Sequence, residues 1–170
     1  PVFIFLAVAN SVTARDPILN LPIDCTLGDT CYIQNYVDHD PSDQASDFTC
    51  AGLTYNTHKG TDFGLTSFAE MERGVDVISA APGTVIAARD GMPDTGLTPE
   101  TEATIKGREC GNGLVIDHGG GWQTQYCHLK QGSLSVEKGR RVAQGTRLGL
   151  VGMSGRTEFP HVHLSVRKDG

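Results

Sequence analysis

Six histidines occur in the chain, His39, His58, His118, His128, His161 and His163, and three of their settings can carry chemistry. The first is His58-Lys59-Gly60-Thr61-Asp62. In an extended strand the i and i+4 side chains stand roughly 13 Å apart, too far to share an ion whose ligand bonds are near 2 Å. Gly60 in the middle permits a bend that would bring the imidazole and the carboxylate together. The second is His161-Val162-His163. On a strand these histidines share a face about 6.6 Å apart, while Val162 and Leu164 turn the other way into a core. Spacing alone does not say which of the two takes a metal and which stands beside it. The third is His128, near the end of a β-rich run.

Two histidines and one carboxylate match the ligand set of a catalytic zinc, which keeps a fourth position open for water. Such a site also needs a base to orient the attack of that water. The helical motif H-E-x-x-H, which would place a glutamate there, is absent. Histidines outside the ligand set are the natural replacement, because they titrate near working pH. Each group also has an ordinary reading. His58 and Asp62 could share a hydrogen bond across a turn, His161-x-His163 could sit on a half-exposed strand, and His128 alone is unremarkable.

Strands must position these residues. Twenty-one glycines and eight prolines punctuate the chain and favour short strands and turns over long helices. Val75–Ala80 alternates and stops at Pro82-Gly83, and Thr84–Ala88 is a second β-rich run. Residues 91–109 are polar and turn-rich and read as a long loop. Leu114–His118, Gly119-Gly120-Gly121 and Trp122–Leu129 read as a glycine-joined hairpin. Leu148–Met153 and Val162–Val166 supply further strands, and no 12-residue window shows a helical apolar period. The expected fold is mainly β. Residues 15–57 hold few alternating runs and read as an irregular lead-in. Its cluster of Asp38, Asp40, Asp43 and Asp47 lacks the glycine and carboxylate spacing of a calcium loop and reads as a solvated acidic loop.

Three blocks, HKGTD within residues 57–64, GNGLVIDHGGGWQTQYCHL at 111–129 and GRTEFPHVHL at 155–164, resemble the signature blocks of the lysostaphin-type (LytM-like) zinc endopeptidases. Residues 75–88 and 136–152 also follow that family's glycine-punctuated pattern, so the likeness spans about residues 55–170 in order. The resemblance implies a compact antiparallel β domain, sheet or barrel-sandwich, with a groove over one zinc. It assigns His58, Asp62 and His163 to the metal and gives His128 and His161 catalytic roles. It implies hydrolysis of the peptide cross-links of bacterial peptidoglycan, with a wall-binding or amidase-activating module that has lost its zinc as the rival reading. His118 falls at a hairpin position of structural character, and His39 matches nothing. Glu158-Phe159 replaces the usual Thr-Gly before Pro160, and Leu164 replaces a usual aromatic, which bears on substrate preference rather than on the metal.

The rest of the composition fits an exported protein. The 170 residues suit one domain with a core, and a net charge of −6 without a Lys/Arg cluster argues against nucleic acid. Val2–Ala9 is an unbroken apolar run followed by small residues, as in a signal peptide, and is far too short to span a bilayer. Residues 1–14 are therefore expected to be a signal remnant, 15–54 a lead-in and 55–170 the peptidase domain, in the periplasm or outside the cell. Five cysteines without a C-x-x-C pair suit disulfides in such a compartment. Cys25 and Cys31 flank a short loop, and the hairpin sets Cys110 nearly opposite Cys127. Cys50 is left over. Lys168-Asp169-Gly170 reads as a turn toward a further strand, where a partner for Cys50 would lie.

Overall fold

Three glycines in succession set the hairpin at the centre of the fold. Gly119, Gly120 and Gly121 have φ of 82°, 59° and 84°, a left-handed run that side chains with a Cβ resist. In the computed structural model, which describes residues 16–169, this turn joins β5 (Asn112–Gly119) to β6 (Trp122–Leu129). The remaining strands are β1 (Cys31–Asn35), β2 (Thr61–Leu65), β3 (Asp76–Ile78), β4 (Gly83–Arg89), β7 (Arg141–Val142), β8 (Arg147–Leu150) and β9 (His161–Lys168). Seven strands form one antiparallel sheet in the order β1-β2-β9-β6-β5-β4-β7, and β3 pairs with β8 in a small second sheet. The fold is mainly β, as the sequence implies, and the large sheet stays open, with β1 and β7 at its edges. The signal-like segment 1–14 and Gly170 lie outside the described residues.

Period-two alternation sorts the two faces of the large sheet. Phe63, Leu65, Leu114, Ile116, Tyr126 and Val162 face inward and meet Val77, Leu148 and Val151 from the side of the small sheet. Each such burial contributes about 1.5–3 kcal/mol. The Tyr126 hydroxyl, deep in this core, accepts the Ala80 N–H at 2.8 Å and so leaves no stranded polar tip. Val162 and Leu164 are buried, as their alternation with the histidines requires, and the opposite face of β9 carries His161, His163, Ser165 and Arg167. Two isolated bridges, Leu129 with Val151 and Gly152 with His161, tie the ends of β6 and β9 to the strand after β8.

Among the described residues helix is confined to α1 (Phe68–Arg73) and α2 (Glu102–Ile105), the second inside the stretch that reads as a loop. Ser67 caps α1 by accepting the Glu70 N–H, and Gly74 ends it with φ 86°. No helix among the described residues is long and apolar enough to cross a membrane.

The lead-in is more ordered than its sequence suggests. Cys31–Asn35 is the edge strand β1, paired with β2, and Ile23 bridges Val77 and is buried in the core. Runs this short have too little alternation to register locally. They become strand-like because a neighbouring strand offers a ladder. The acidic loop also differs from expectation. Asp47 is buried and accepts the N–H groups of Thr49, Ala51 and Leu53 and the Thr49 hydroxyl. Asp38 accepts the N–H groups of Asp40, Ser46 and Thr57. A loop without a ladder must find acceptors for its amides elsewhere, and these carboxylates supply them.

Disulfides join Cys25 to Cys31 and Cys110 to Cys127, with Cα atoms 6.0 Å and 4.7 Å apart. Cys50 is exposed and free among the described residues. The second bridge holds the segment whose Cys110 carbonyl accepts the His128 N–H. Replacing Cys110 and Cys127 together by serine should lower the unfolding free energy by about 3 kcal/mol, the chain-entropy value for a loop of this size. The denaturant midpoint measures it. An unchanged midpoint, or two freely alkylated thiols in the untreated protein, would remove this cross-link from the account.

Candidate metal centre

Asp62 on β2 and His163 on β9 are direct cross-strand partners. Opposite residues on an antiparallel pair share a face with their Cβ atoms about 5 Å apart, so the register itself brings carboxylate and imidazole together. His163 Nδ1 lies 2.8 Å from Asp62 Oδ1. His58 arrives from the loop before β2, and its Nε2 stands 3.1 Å from Asp62 Oδ2 and 3.1 Å from His163 Nδ1. One donor atom from each of the three residues lies within 4.8 Å of the other two. Both His58 and Asp62 are buried.

The bend between His58 and Asp62 falls before β2 begins, and Gly60 does not adopt a left-handed φ there. The chain does bend at Gly60, as its sequence position suggests, and the residue has a second role. A Cβ at Gly60 would stand 2.5 Å from His163 Cε1 and Nε2 and 2.7 Å from the Leu164 carbonyl oxygen. Besides the bend, glycine provides room for the second imidazole of the cluster.

Hydrogen bonds on the far side of each ring determine what it presents to the centre. The Nδ1–H of His58 donates to the Tyr36 carbonyl at 2.6 Å, which leaves a lone pair on Nε2. His163 Nε2 meets the Ser165 hydroxyl at 2.9 Å, so its Nδ1 can likewise offer a lone pair. Three acceptors then converge on one point, an arrangement that repels itself unless a proton or a cation sits among them. Burial disfavours the charged form of His58, but the hydrogen bond and charge of Asp62 outweigh it and raise the pKa above the ordinary histidine value. Burial also pushes Asp62 up, yet hydrogen bonds with His163 and His58 hold it well below the usual carboxylate range. A carboxylate kept ionised among two imidazole lone pairs fits a divalent cation, and the donor set suits zinc with one position open.

His128 and His161 stand beside this cluster, with ring centroids 4.7 Å apart and both residues buried. His161 Nδ1 faces the Phe159 carbonyl at 2.9 Å, and its Nε2 lies 3.5 Å from Asp62 Oδ1. His128 has φ 65°. Its predecessor Cys127 pairs with His163 and shares the groove face, so regular alternation would send His128 into the core. The left-handed backbone turns it back toward His161, and its Nδ1–H donates to the Ser154 carbonyl at 2.8 Å. Burial, followed by the charge of His161, pushes His128 down to about 3, and burial also lowers His161.

A groove runs over the centre. One arm has a volume of about 920 Å³ and the other about 740 Å³, and they meet where Tyr55, Thr57, His128 and Arg156 line both. Val37, Asp38, Asp40 and Pro41 of the lead-in form a wall of the larger arm. The Tyr55 ring stacks on His58 at 4.4 Å, and its phenol is pushed up to about 12 by burial and by the Asp62 charge.

All five site residues expected from sequence therefore gather in one place. His118 instead bridges the Pro82 carbonyl and Thr124, each at 2.7 Å, a structural role as expected, and His39 is exposed. Sequence reasoning missed Tyr36, Ser154 and Phe159, which act through main-chain carbonyls that every residue carries. Ser165 was findable, because it continues the face that begins at His161 and His163.

Residues 56–170 match the family model described as Peptidase family M23. Peptidoglycan DD-endopeptidase ShyA of Vibrio cholerae serotype O1 is 33% identical over 109 residues, which are 64% of this chain and 20% of that protein. The chain thus spans about a fifth of that relative's length. A crystal structure of a zinc containing peptidase from Vibrio cholerae is 26% identical with a TM-score of 0.50, over 81% of this chain and 37% of that one. The catalytic domain of the prophage-encoded M23 protein EnpA from Enterococcus faecalis has a TM-score of 0.57 at 20% identity, covering 84% and 85%, a likeness of fold.

Two measurements follow from the geometry. Gly60→Ala should displace His163 and weaken zinc binding by about tenfold or more, since a Cβ contact of this kind cannot be relieved without moving the ring. An unchanged zinc Kd would show that the ring is not held there. Zinc affinity should also fall with acidity, because a ligand nitrogen must lose its proton to bind. The raised pKa of His58 sets the window: above it the Kd is flat, and below it the Kd rises about tenfold per pH unit for one competing proton. A Kd flat between about pH 8 and about pH 5 would exclude His58 as a ligand.

Proposed function

The chain belongs to peptidase family M23, and on that footing we propose that it is a zinc-dependent endopeptidase that cuts peptide cross-links of bacterial peptidoglycan after export. One observation carries this reading: two buried histidines stand beside a cluster of three potential metal ligands at the junction of a groove's two arms. A structural metal site would be closed by a fourth protein ligand. A wall-binding module without hydrolysis would have no use for His128 and His161 in these positions.

The metal would be held by His58 Nε2, an Asp62 carboxylate oxygen and His163 Nδ1, one ion per chain. Zinc bound there supplies Lewis acidity and makes water acidic enough to attack near neutral pH. The chain's own residues do the rest. With Nδ1–H groups donated to the Ser154 and Phe159 carbonyls, His128 and His161 both present Nε2 as an acceptor. With that nitrogen free, either can take the proton of the attacking water and later pass it to the leaving amine. While protonated, the same imidazole lies beside the developing oxyanion and stabilises it. The groove walls hold the peptide extended across the centre.

Digestion of purified peptidoglycan, with the fragments identified by mass, tests the activity. New amino termini at cross-links are expected, and intact cross-links after exposure to zinc-loaded protein would overturn it. Substitutions separate the roles. His128→Ala and His161→Ala should retain close to one zinc per chain and lose about 10²–10⁴ in rate, mainly in kcat. His163→Ala should lose metal and activity together. A zinc-free His161→Ala protein rescued by excess zinc would mean that the two β9 histidines have exchanged roles.

A further inference from the structure

The groove is electrically uneven. Its larger arm is lined by three carboxylates, Asp38, Asp40 and Glu109, and three cations, Lys59, Arg156 and Arg167. The carboxylates are engaged by main chain: Asp38 by three amides, Asp40 by the Ser42 N–H and Glu109 by the Gly107 N–H. The cations are not, because among the described residues none of the three forms an ion pair. Nε of Arg167 is also closed off from solvent and has no hydrogen-bond partner among the described residues. A groove ligand cannot reach that atom, but a carboxylate on the terminal nitrogens would offset the charge it leaves without a partner. Arg156 acts electrostatically on Glu109, which leaves Lys59 and Arg167 as the cations of this arm without a close carboxylate partner among the described residues. The other arm shares Arg156 and Glu109 at the junction, and holds Asp62, Glu158 and the buried side-chain oxygen of Gln34, which has no partner among the described residues.

Resting on the reading of this groove as a peptide-cleaving site, we propose that Lys59 and Arg167 form a subsite for a free carboxylate of the substrate. Arg167 follows His163 by four residues on β9, roughly 13 Å along an extended strand, so the carboxylate lies beyond the residues that flank the bond cut. Guanidinium groups suit this task because their planar donors match the two oxygens of a carboxylate. The subsite would favour acidic peptides over amidated ones and fix which end of the peptide enters which arm.

Equilibrium binding tests it without turnover. A peptidoglycan stem peptide and the same peptide with its carboxylates amidated are titrated calorimetrically into the zinc-loaded full chain. The acid form should bind about tenfold or more tightly, as expected for charge-assisted hydrogen bonds. Arg167→Gln and Lys59→Gln, each checked for full zinc content, should narrow that preference by weakening the acid form alone. Equal Kd values for acid and amide in the wild type would overturn the subsite, as would variants that weaken both peptides alike. Inorganic phosphate that displaces the acid peptide at comparable concentration would overturn it too, by showing a general anion patch. Selective binding of the acid peptide without cleavage of peptidoglycan would keep the subsite and sink the hydrolysis. Cleavage at equal kcat/KM of acid and amidated cross-linked peptides would do the reverse.

Discussion

Asp62 faces His163 across β2 and β9, and everything else at the centre depends on that register. Side chains alternate with a strict period of two, so a one-residue slip of either strand would send its site residues into the core and its apolar residues into the groove. The apolar set prevents this. Val162 and Leu164 on β9 and Phe63 and Leu65 on β2 are buried and make the slipped pairing costly. Hydrophobic burial on one face of the sheet thereby fixes a polar geometry on the other.

That geometry carries an internal conflict. Two imidazole lone pairs and a carboxylate kept ionised converge in a space with little water, a cost that burial increases rather than relieves. Main-chain carbonyls of Tyr36, Ser154 and Phe159 orient the rings so that the conflict persists instead of relaxing by rotation. The positive φ of His128 is a further local strain held by the Cys110 backbone and the disulfide next to it. The centre is thus preorganised for a cation, and its stability without one comes from the core beneath it.

The lead-in completes the site instead of merely preceding it. Tyr36 orients His58, Asp38 ties the loop at Thr57, and Val37 to Pro41 wall the larger groove arm. Its carboxylates serve loop amides, while Lys59 and Arg167 on that side form no ion pair among the described residues.

How much of this is legible in the chain depends on the range of each interaction. His161-Val162-His163 announces a strand with one polar and one apolar face, and the three glycines announce the hairpin, because both signals are local in sequence. The ligand set came from the kinds of residue present and their resemblance to a family, since His58 and His163 are 105 positions apart and no spacing rule joins them. Strand pairing alone decided that they meet. The same holds for β1, for the buried Asp47 and for the carbonyls behind each histidine: their roles arise from partners distant in the chain. Gly60 shows the difference at a single residue. Its place between His58 and Asp62 suggested a bend, whereas only the packed structure shows the His163 ring filling the space where a Cβ would stand. Sequence determined which groups were available and which face each would take, and the tertiary structure decided which groups touch, because contact depends on register and packing across strands that the chain brings together only when folded.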